Sequence, residues 1–326
     1  MRRSLILCVG LVAASLGATA AGAAPPPAAA DAAAEHRRIV AYWTPERRAA
    51  AVPRDLVLTP NGKPAKPGGG GGTGVVTGAT WTGGGSVTVT TGKVFFTLGA
   101  SRYTCSASAV DSPAGNLVLT AGHCVHDGDG GAFATNWIFY PGWNGAPSPT
   151  LGEWTASDLF TTAGWATGST SFDDDAGFAV VVGAEGQGTL ASVLVAAGGA
   201  VPGITFTTTT DPYSAFGYPA SKKYRGDTLT YCAGPVTPGV DGHQTLALAC
   251  DMTGGSSGGP WFQKFSNGAT SPNTINSLNS YGYLSVRNTM FGPIFDGAES
   301  TTYTAASALG NCLAPIGLGY HCVSHS

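Results

Sequence analysis

Residues 250–261 read Cys250-Asp251-Met252-Thr253-Gly254-Gly255-Ser256-Ser257-Gly258-Gly259-Pro260-Trp261. Four glycines and a proline supply neither side chains to pack nor a regular backbone, so neither a helix nor an ordinary strand explains the run. A surface turn would, because Gly, Ser and Pro dominate turns for steric reasons. A nucleophile loop would too: glycines let the amides of Gly255 and Ser257 converge on a developing oxyanion while the Ser257 hydroxyl stays accessible. A nucleophile needs a base, so the rest of the chain decides between them.

Working upstream, a short apolar strand at Leu117–Thr120 runs into Ala121-Gly122-His123-Cys124. A lone histidine is usually structural. Here a disulfide at the next residue would anchor an imidazole that must sit within about 3 Å of a serine oxygen. Between the two motifs lies Asp173-Asp174-Asp175-Ala176-Gly177-Phe178-Ala179-Val180-Val181. Asp175 abuts the apolar run and could be held against the imidazole, whereas Asp173 and Asp174 suit an acidic surface turn; Asp174 remains the alternative acid.

Thr120-Ala121-x-His123-Cys124 upstream and Gly255-x-Ser257-Gly258-Gly259-Pro260 downstream resemble the signatures of trypsin-like serine proteases of the chymotrypsin fold. Asp175-Ala176-Gly177-Phe178 fits the strand-opening aspartate of that family. The resemblance implies a catalytic set His123, Asp175 and Ser257, with Gly255 and Ser257 amides as the oxyanion hole. Gly255-x-Ser257-x-Gly259 also fits the nucleophile elbow of α/β-hydrolases, but there the acid and histidine follow the serine, which would require Asp296 and His321 or His325. Gly258-Gly259-Pro260 is a poor helix start, and no alternation of strands and helices surrounds it. The chain order therefore favours the protease.

Gly217-Tyr218-Pro219, Tyr224-Arg225-Gly226 and Cys232 resemble the segment opening the second barrel in the bacterial glutamyl-endopeptidase-like branch, the likeness covering roughly 90–300. Trypsin has an aspartate directly before the nucleophile; this chain has Ser256, so the salt bridge to a new N-terminus that activates trypsin is not expected. Ser280-Tyr281-Gly282 resembles the family strand along which substrates lie by main-chain bonding, with Tyr281 as an apolar wall. Glutamyl endopeptidases carry a histidine before that serine; Asn279 stands here, so glutamate specificity is not expected. Asp251 matches by count the acid at the floor of trypsin's pocket, which would favour Arg or Lys; it equally suits a local hydrogen bond beside Cys250. Cleavage preference stays open.

Met1-Arg2-Arg3, an apolar run from Leu5 to Leu16 and small residues through Ala24 form a secretory signal, too short to be a membrane span. Residues 25–74, rich in Ala and Pro and ending near the Gly68–Gly72 run, read as a flexible linker or a prosegment without a core. From residue 75, short runs rich in Val, Thr and aromatics punctuated by turn residues indicate strands. Candidates are Ser86–Thr91, Lys93–Leu98, Leu117–Thr120, Trp137–Tyr140, Gly177–Val182 and Ile204–Thr210, with a helix over Glu299–Leu309.

The expected fold is all-β, with two antiparallel six-stranded Greek-key β-barrels, 75–200 and 201–326, the site between them and a short C-terminal helix. Charged residues make up only 11% of the chain and the formal net charge is −3, so neither a nucleic-acid footprint nor an anionic-membrane patch is written here. Seven cysteines less Cys8 of the signal leave six, an even number suited to an oxidising compartment. Neighbour pairing, the simplest of fifteen connectivities, gives Cys105–Cys124, Cys232–Cys250 and Cys312–Cys322. Asp127 and Asp129 lack the terminal glutamate of a calcium loop, so no metal is expected. No cofactor is implied. The expectation is a secreted monomeric endopeptidase acting on proteins or peptides. The alternatives are a protease-fold binding protein that has lost activity and a secreted serine esterase.

Overall fold

The computed structural model describes residues 27–58, 64–65, 78–168, 171–209, 211–240, 242–267, 273–309, 312 and 319–325. The expected secretory signal, Cys8 and the glycine run lie outside these residues.

Six strands close the first half into a barrel: Thr91–Leu98, Ser101–Val110, Leu117–Thr120, Thr135–Pro141, Trp154–Thr162 and Gly177–Val182. All pair antiparallel with their neighbours, and closure comes from Ser101–Val110 bonding both Thr91–Leu98 and Leu117–Thr120. Alternation of side chains fills the interior with Val94, Phe96, Phe139, Leu159, Ala179 and Val181, each 1% exposed or less.

The second half differs. Its strands fall into two sheets, one carrying Tyr213–Gly217, Thr230–Gly234, Pro260–Gln263 and Thr274–Leu278, the other Val236–Pro238, Thr245–Ala249 and Thr289–Pro293. One corner is Pro235, between Gly234 and Val236: with no N–H it cannot continue the ladder, and the chain passes from one sheet to the other there. At the opposite corner the sheets meet through an isolated bridge, Tyr281 to Phe291. The expected second barrel is thus built as a cornered pair of sheets around Tyr213, Leu246, Leu248 and Trp261.

Three expectations need correction. Residues 27–58 do not lack structure: Pro27–Tyr42 is a helix, consistent with alanine's helix propensity, and Ile39 and Trp43 bury against the first barrel, where Trp43 Nε1 donates to Asn136 O at 2.6 Å. Within Ser86–Thr91 the alternation hides one helical turn, Val87–Thr90, in which the Thr88 and Thr90 hydroxyls bond back to the carbonyls of Gly85 and Ser86. Of Ile204–Thr210, Ile204 alone joins a strand, Gly203–Ile204; residues 205–209 carry no strand assignment and Thr210 lies outside the described residues.

The C-terminal helix spans Gly297–Leu309 and packs on the first barrel, against Trp154–Thr162 and Gly177–Val182. Beyond it, Tyr320–Ser324 adds antiparallel to Trp154–Thr162, pinned by the Cys312–Cys322 disulfide and by the Cys312 amide donating to Asp158. That pinning accounts for a loop the sequence left unexplained. The disulfides Cys105–Cys124 and Cys232–Cys250 are likewise formed.

Candidate active site

His123 sits in the turn Gly122–Cys124 directly after strand Leu117–Thr120, and Cys124 ties that turn to strand Ser101–Val110 through Cys105. Strand Gly177–Val182 pairs with Leu117–Thr120 in the register Gly177 to Thr120, so Asp175, just before it, arrives beside the turn. Its carboxylate bonds His123 twice: Oδ1 accepts the backbone N–H at 2.8 Å, and Oδ2 meets ring Nδ1 at 2.7 Å. The Ser280 hydroxyl donates to the same Oδ2. Both side chains are fully buried. Gly122 is required here, because a Cβ would lie 3.0 Å from Asp175 Oδ1 and 2.9 Å from Trp165. Burial alone would raise the Asp175 carboxyl; the charge and hydrogen bonds of His123, with the Ser280 hydroxyl, outweigh it and hold the group below its ordinary value. Asp174 turns elsewhere, accepting from the Ser171 hydroxyl at 2.7 Å, and Asp173 meets His243.

Ser257 comes from the second half on a loop wedged against the first. The Ser106 amide donates to Ser257 O and the Ser106 hydroxyl to Gly255 O, each at 2.8 Å. Gly255 adopts φ +95°, and a Cβ there would meet Tyr218 O at 2.9 Å. Positive φ and close approach both require glycine. No acceptor among the described residues takes the amides of Gly255 and Ser257. Ser256 is self-contained, its hydroxyl donating to Thr253 O at 2.8 Å.

The expected bond from Ser257 to His123 is not made. The Ser257 hydroxyl donates instead to the carbonyl oxygen of Arg54 at 3.2 Å, while His123 Nε2 is buried without a partner. Arg54 belongs to a strap, residues 52–58, that crosses the cleft. The next residue, Asp55, lies within the field of His123 and Lys222 and beside Gly254. Burial raises its carboxyl above the usual value, partly offset by His123, Lys222 and the Gly254 amide.

A cavity of about 330 Å³ adjoins Ser257, walled by Met252, Tyr281, Tyr283, Leu284 and Met290. Asp251 also lines it, but its carboxylate accepts from the Tyr224 hydroxyl at 2.6 Å, from the Gly78 amide at 3.1 Å and from Lys223. Burial pushes it up, and these donors, Lys223 foremost, bring it below the ordinary carboxylate value. Of its two readings, the local one fits. Asn279 is equally committed: Nδ2 donates to Phe216 O and Ser256 O, and Oδ1 accepts from Trp261 Nε1.

Of Ser280-Tyr281-Gly282, only the glycine turns its amide to the cleft. The Ser280 hydroxyl serves Asp175, and the Ser280 and Tyr281 amides donate to Phe291 O, whereas the Gly282 amide faces the cleft and bonds Leu56 O at 3.1 Å. Tyr281 does form a wall, stacked on Phe291. The strap, Lys222 and the methionines were missed by sequence reasoning; the Val52-Pro53-Arg54-Asp55-Leu56-Val57-Leu58 run, apolar inside a poorly apolar region, was the available signal for the strap.

No known family model matches the chain. A curated relative, glutamyl endopeptidase of Bacillus licheniformis, is 32% identical over 155 residues, which are 46% of this chain and 43% of that protein, so the match spans less than half of the relative's length. Among solved structures, a thermostable serine protease, AL20, from an extremophilic microorganism is 40% identical, covering 68% of this chain and 97% of its own, with a TM-score of 0.61. Protease Anisep from Arthrobacter nicotinovorans is 38% identical, covering 71% of this chain and 100% of its own, with a TM-score of 0.62. A Glu endopeptidase at 18% identity and a TM-score of 0.55 shares the fold. With near-complete coverage of a serine protease and of a second protease at this identity, the chain belongs to the trypsin-like serine proteases of the chymotrypsin fold.

Proposed function

We propose that the protein is an exported serine endopeptidase acting on proteins or peptides, with Ser257 as nucleophile, His123 as general base and acid, and Asp175 as the group that orients it. Ser257 attacks the peptide carbonyl as its proton passes to His123 Nε2. The carbonyl oxygen gains charge between the Gly255 and Ser257 amides. The imidazolium returns the proton to the leaving amine, and water then releases the acyl-enzyme by the same route. Asp175 fixes the tautomer with Nδ1 protonated and stabilises the imidazolium.

The observation that carries this reading is the buried Asp175–His123 pair, bonded at 2.7 and 2.8 Å, whose remaining ring nitrogen has no partner and whose neighbouring Cys124 sulfur lies 3.9 Å from Ser257 O. Three disulfides suit an oxidising compartment, and no helix among the described residues is long and apolar enough to cross a membrane. Because Asp251 is already bonded by three donors, it offers substrate no free carboxylate, and selection of Arg or Lys is not part of the proposal.

The test is labelling by a fluorophosphonate together with hydrolysis of a protein substrate, measured on chain severed between Leu58 and Gly78. Wild type should label once per molecule and Ser257→Ala not at all. A wild type that neither labels nor cleaves removes the assignment.

A further inference from the structure

We propose that residues 52–58 form a self-inhibiting strap that clamps both halves of the molecule, draws the Ser257 proton away from His123, and is bound so that it is not itself cut. This rests on the reading of Ser257 as nucleophile.

The strap is anchored at each end on a different half. At its start, Val52 and Pro53 lie parallel to Tyr103 and Thr104 of the first barrel. The Arg54 amide donates to Thr104 O at 3.2 Å, and the Arg54 guanidinium lies over the Tyr103 ring and donates to Asp127 Oδ1 at 2.7 Å. At its end, Val57 and Leu58 run parallel to Gly282 and Tyr283 of the second half. The amides of Gly282 and Leu284 donate to Leu56 O and Leu58 O at 3.1 and 2.9 Å. Leu58 is 1% exposed, packed in the cluster of Tyr281, Tyr283 and Phe291. The backbone edge and apolar wall expected to receive substrate are therefore filled by the chain's own residues.

Between the anchors the strap meets the reacting groups in an unproductive arrangement. Acyl transfer needs the serine proton on imidazole, the serine oxygen on a carbonyl carbon and the carbonyl oxygen between the oxyanion amides. Here the hydroxyl proton is given to the carbonyl oxygen of Arg54. His123 Nε2 receives nothing. The Gly255 and Ser257 amides donate to no group among the described residues, the Arg54 carbonyl included. The Arg54–Asp55 bond lies next to the nucleophile in a pose that fails the first and the third of these requirements. Activity then depends on the strap leaving, after the chain is cut beyond Leu58.

The experiment compares full-length wild type with Leu58→Asp, which buries a charge under the strap and should release it. Fluorophosphonate labelling should be roughly 100-fold faster in Leu58→Asp. Asp127→Ala, which loosens Arg54 from an exposed carboxylate, should speed labelling about threefold and covers the case in which Leu58→Asp fails to fold. Equal rates in wild type and in either folded variant overturn the strap. Mass spectrometry of incubated wild type should find the Arg54–Asp55 bond intact; cleavage there overturns the unproductive pose. Amide exchange in Ser257→Ala separates this proposal from the reading beneath it. Protected Gly282 and Leu284 amides that open in Ser257→Ala/Leu58→Asp uphold the strap even if no variant ever labels, an outcome that would remove the nucleophile alone. Unprotected amides overturn the strap even if every variant labels.

Discussion

The first half of the molecule completes its share of the site by itself, whereas the second half delivers a loop that depends on its partner. His123 and Asp175 come from adjacent strands of one closed barrel and are bonded through both a side chain and a backbone amide. Ser257 comes from a cornered pair of sheets and is held in place by Ser106 of the other half. The contact made within a half is present; the contact that must span the halves is replaced by Arg54. A site divided this way can be built fully folded and still be switched at the seam.

The sharpest test of the intact half is Asp175→Asn, which leaves the fold in place but favours the wrong imidazole tautomer. Turnover should fall by about four orders of magnitude. A near-normal rate would show that the buried pair does not set the tautomer. Ser280→Ala reaches into the same pair from the second half. Removing a hydrogen bond to a buried carboxylate should lower kcat roughly 10- to 100-fold with KM little changed. A rise in KM alone would mean that Ser280 holds substrate instead.

Two disulfides on the first barrel compare a bridge beside the site with one remote from it. Opening Cys105–Cys124 by a double alanine substitution should cost about 3 kcal/mol and also lower activity, since the next residue to Cys124 is His123. Opening Cys312–Cys322, which spans 10 residues on the outer edge of the barrel, should cost roughly 2 kcal/mol with activity retained. Denaturant midpoints and turnover of the two variants measure both effects, and an equal loss of activity would deny the first bridge its positioning role.

What was legible in the sequence follows the same division. The motif around His123, the strand-opening Asp175 and the Ser257 loop were readable because each needs particular residue types in consecutive positions: a disulfide after the histidine, an acid before an apolar strand, glycines at positive φ. The strap was not, because its two-residue pairings draw on neighbours about 50 and 225 positions away, and the apolar run Val52–Leu58, its one local signal, does not say where it docks. Asp251 was placed by count, which left a pocket floor and a local hydrogen bond equally open; a count gives a position without its partners, here Lys223, Tyr224 and the Gly78 amide. The helix Pro27–Tyr42 was hidden by averaging: Ala and Pro dominate the region, but Ile39 and Trp43 supply the buried contacts.

The smallest predicted effect lies where the C-terminal helix crosses back onto the first barrel. Glu299 is buried, its Oε2 accepting the Asp296 amide at 2.9 Å while Oε1 has no partner. Burial, with Asp296 and Asp174 nearby, outweighs that bond and pushes its carboxyl up to about 8. In the unfolded chain it titrates near 4.5. Between these values the folded protein holds a proton that the unfolded chain has released, so stability falls as pH rises through the interval. Below the lower value the contribution is fully present, and it is lost as pH climbs to about 8. Glu299→Gln keeps the cap acceptor and cannot ionise. Its melting temperature relative to wild type should therefore climb from pH 5 to pH 8, by a few degrees. A constant difference across that range would mean that Glu299 titrates as an ordinary carboxylate, and that the seam between helix and barrel carries no buried proton.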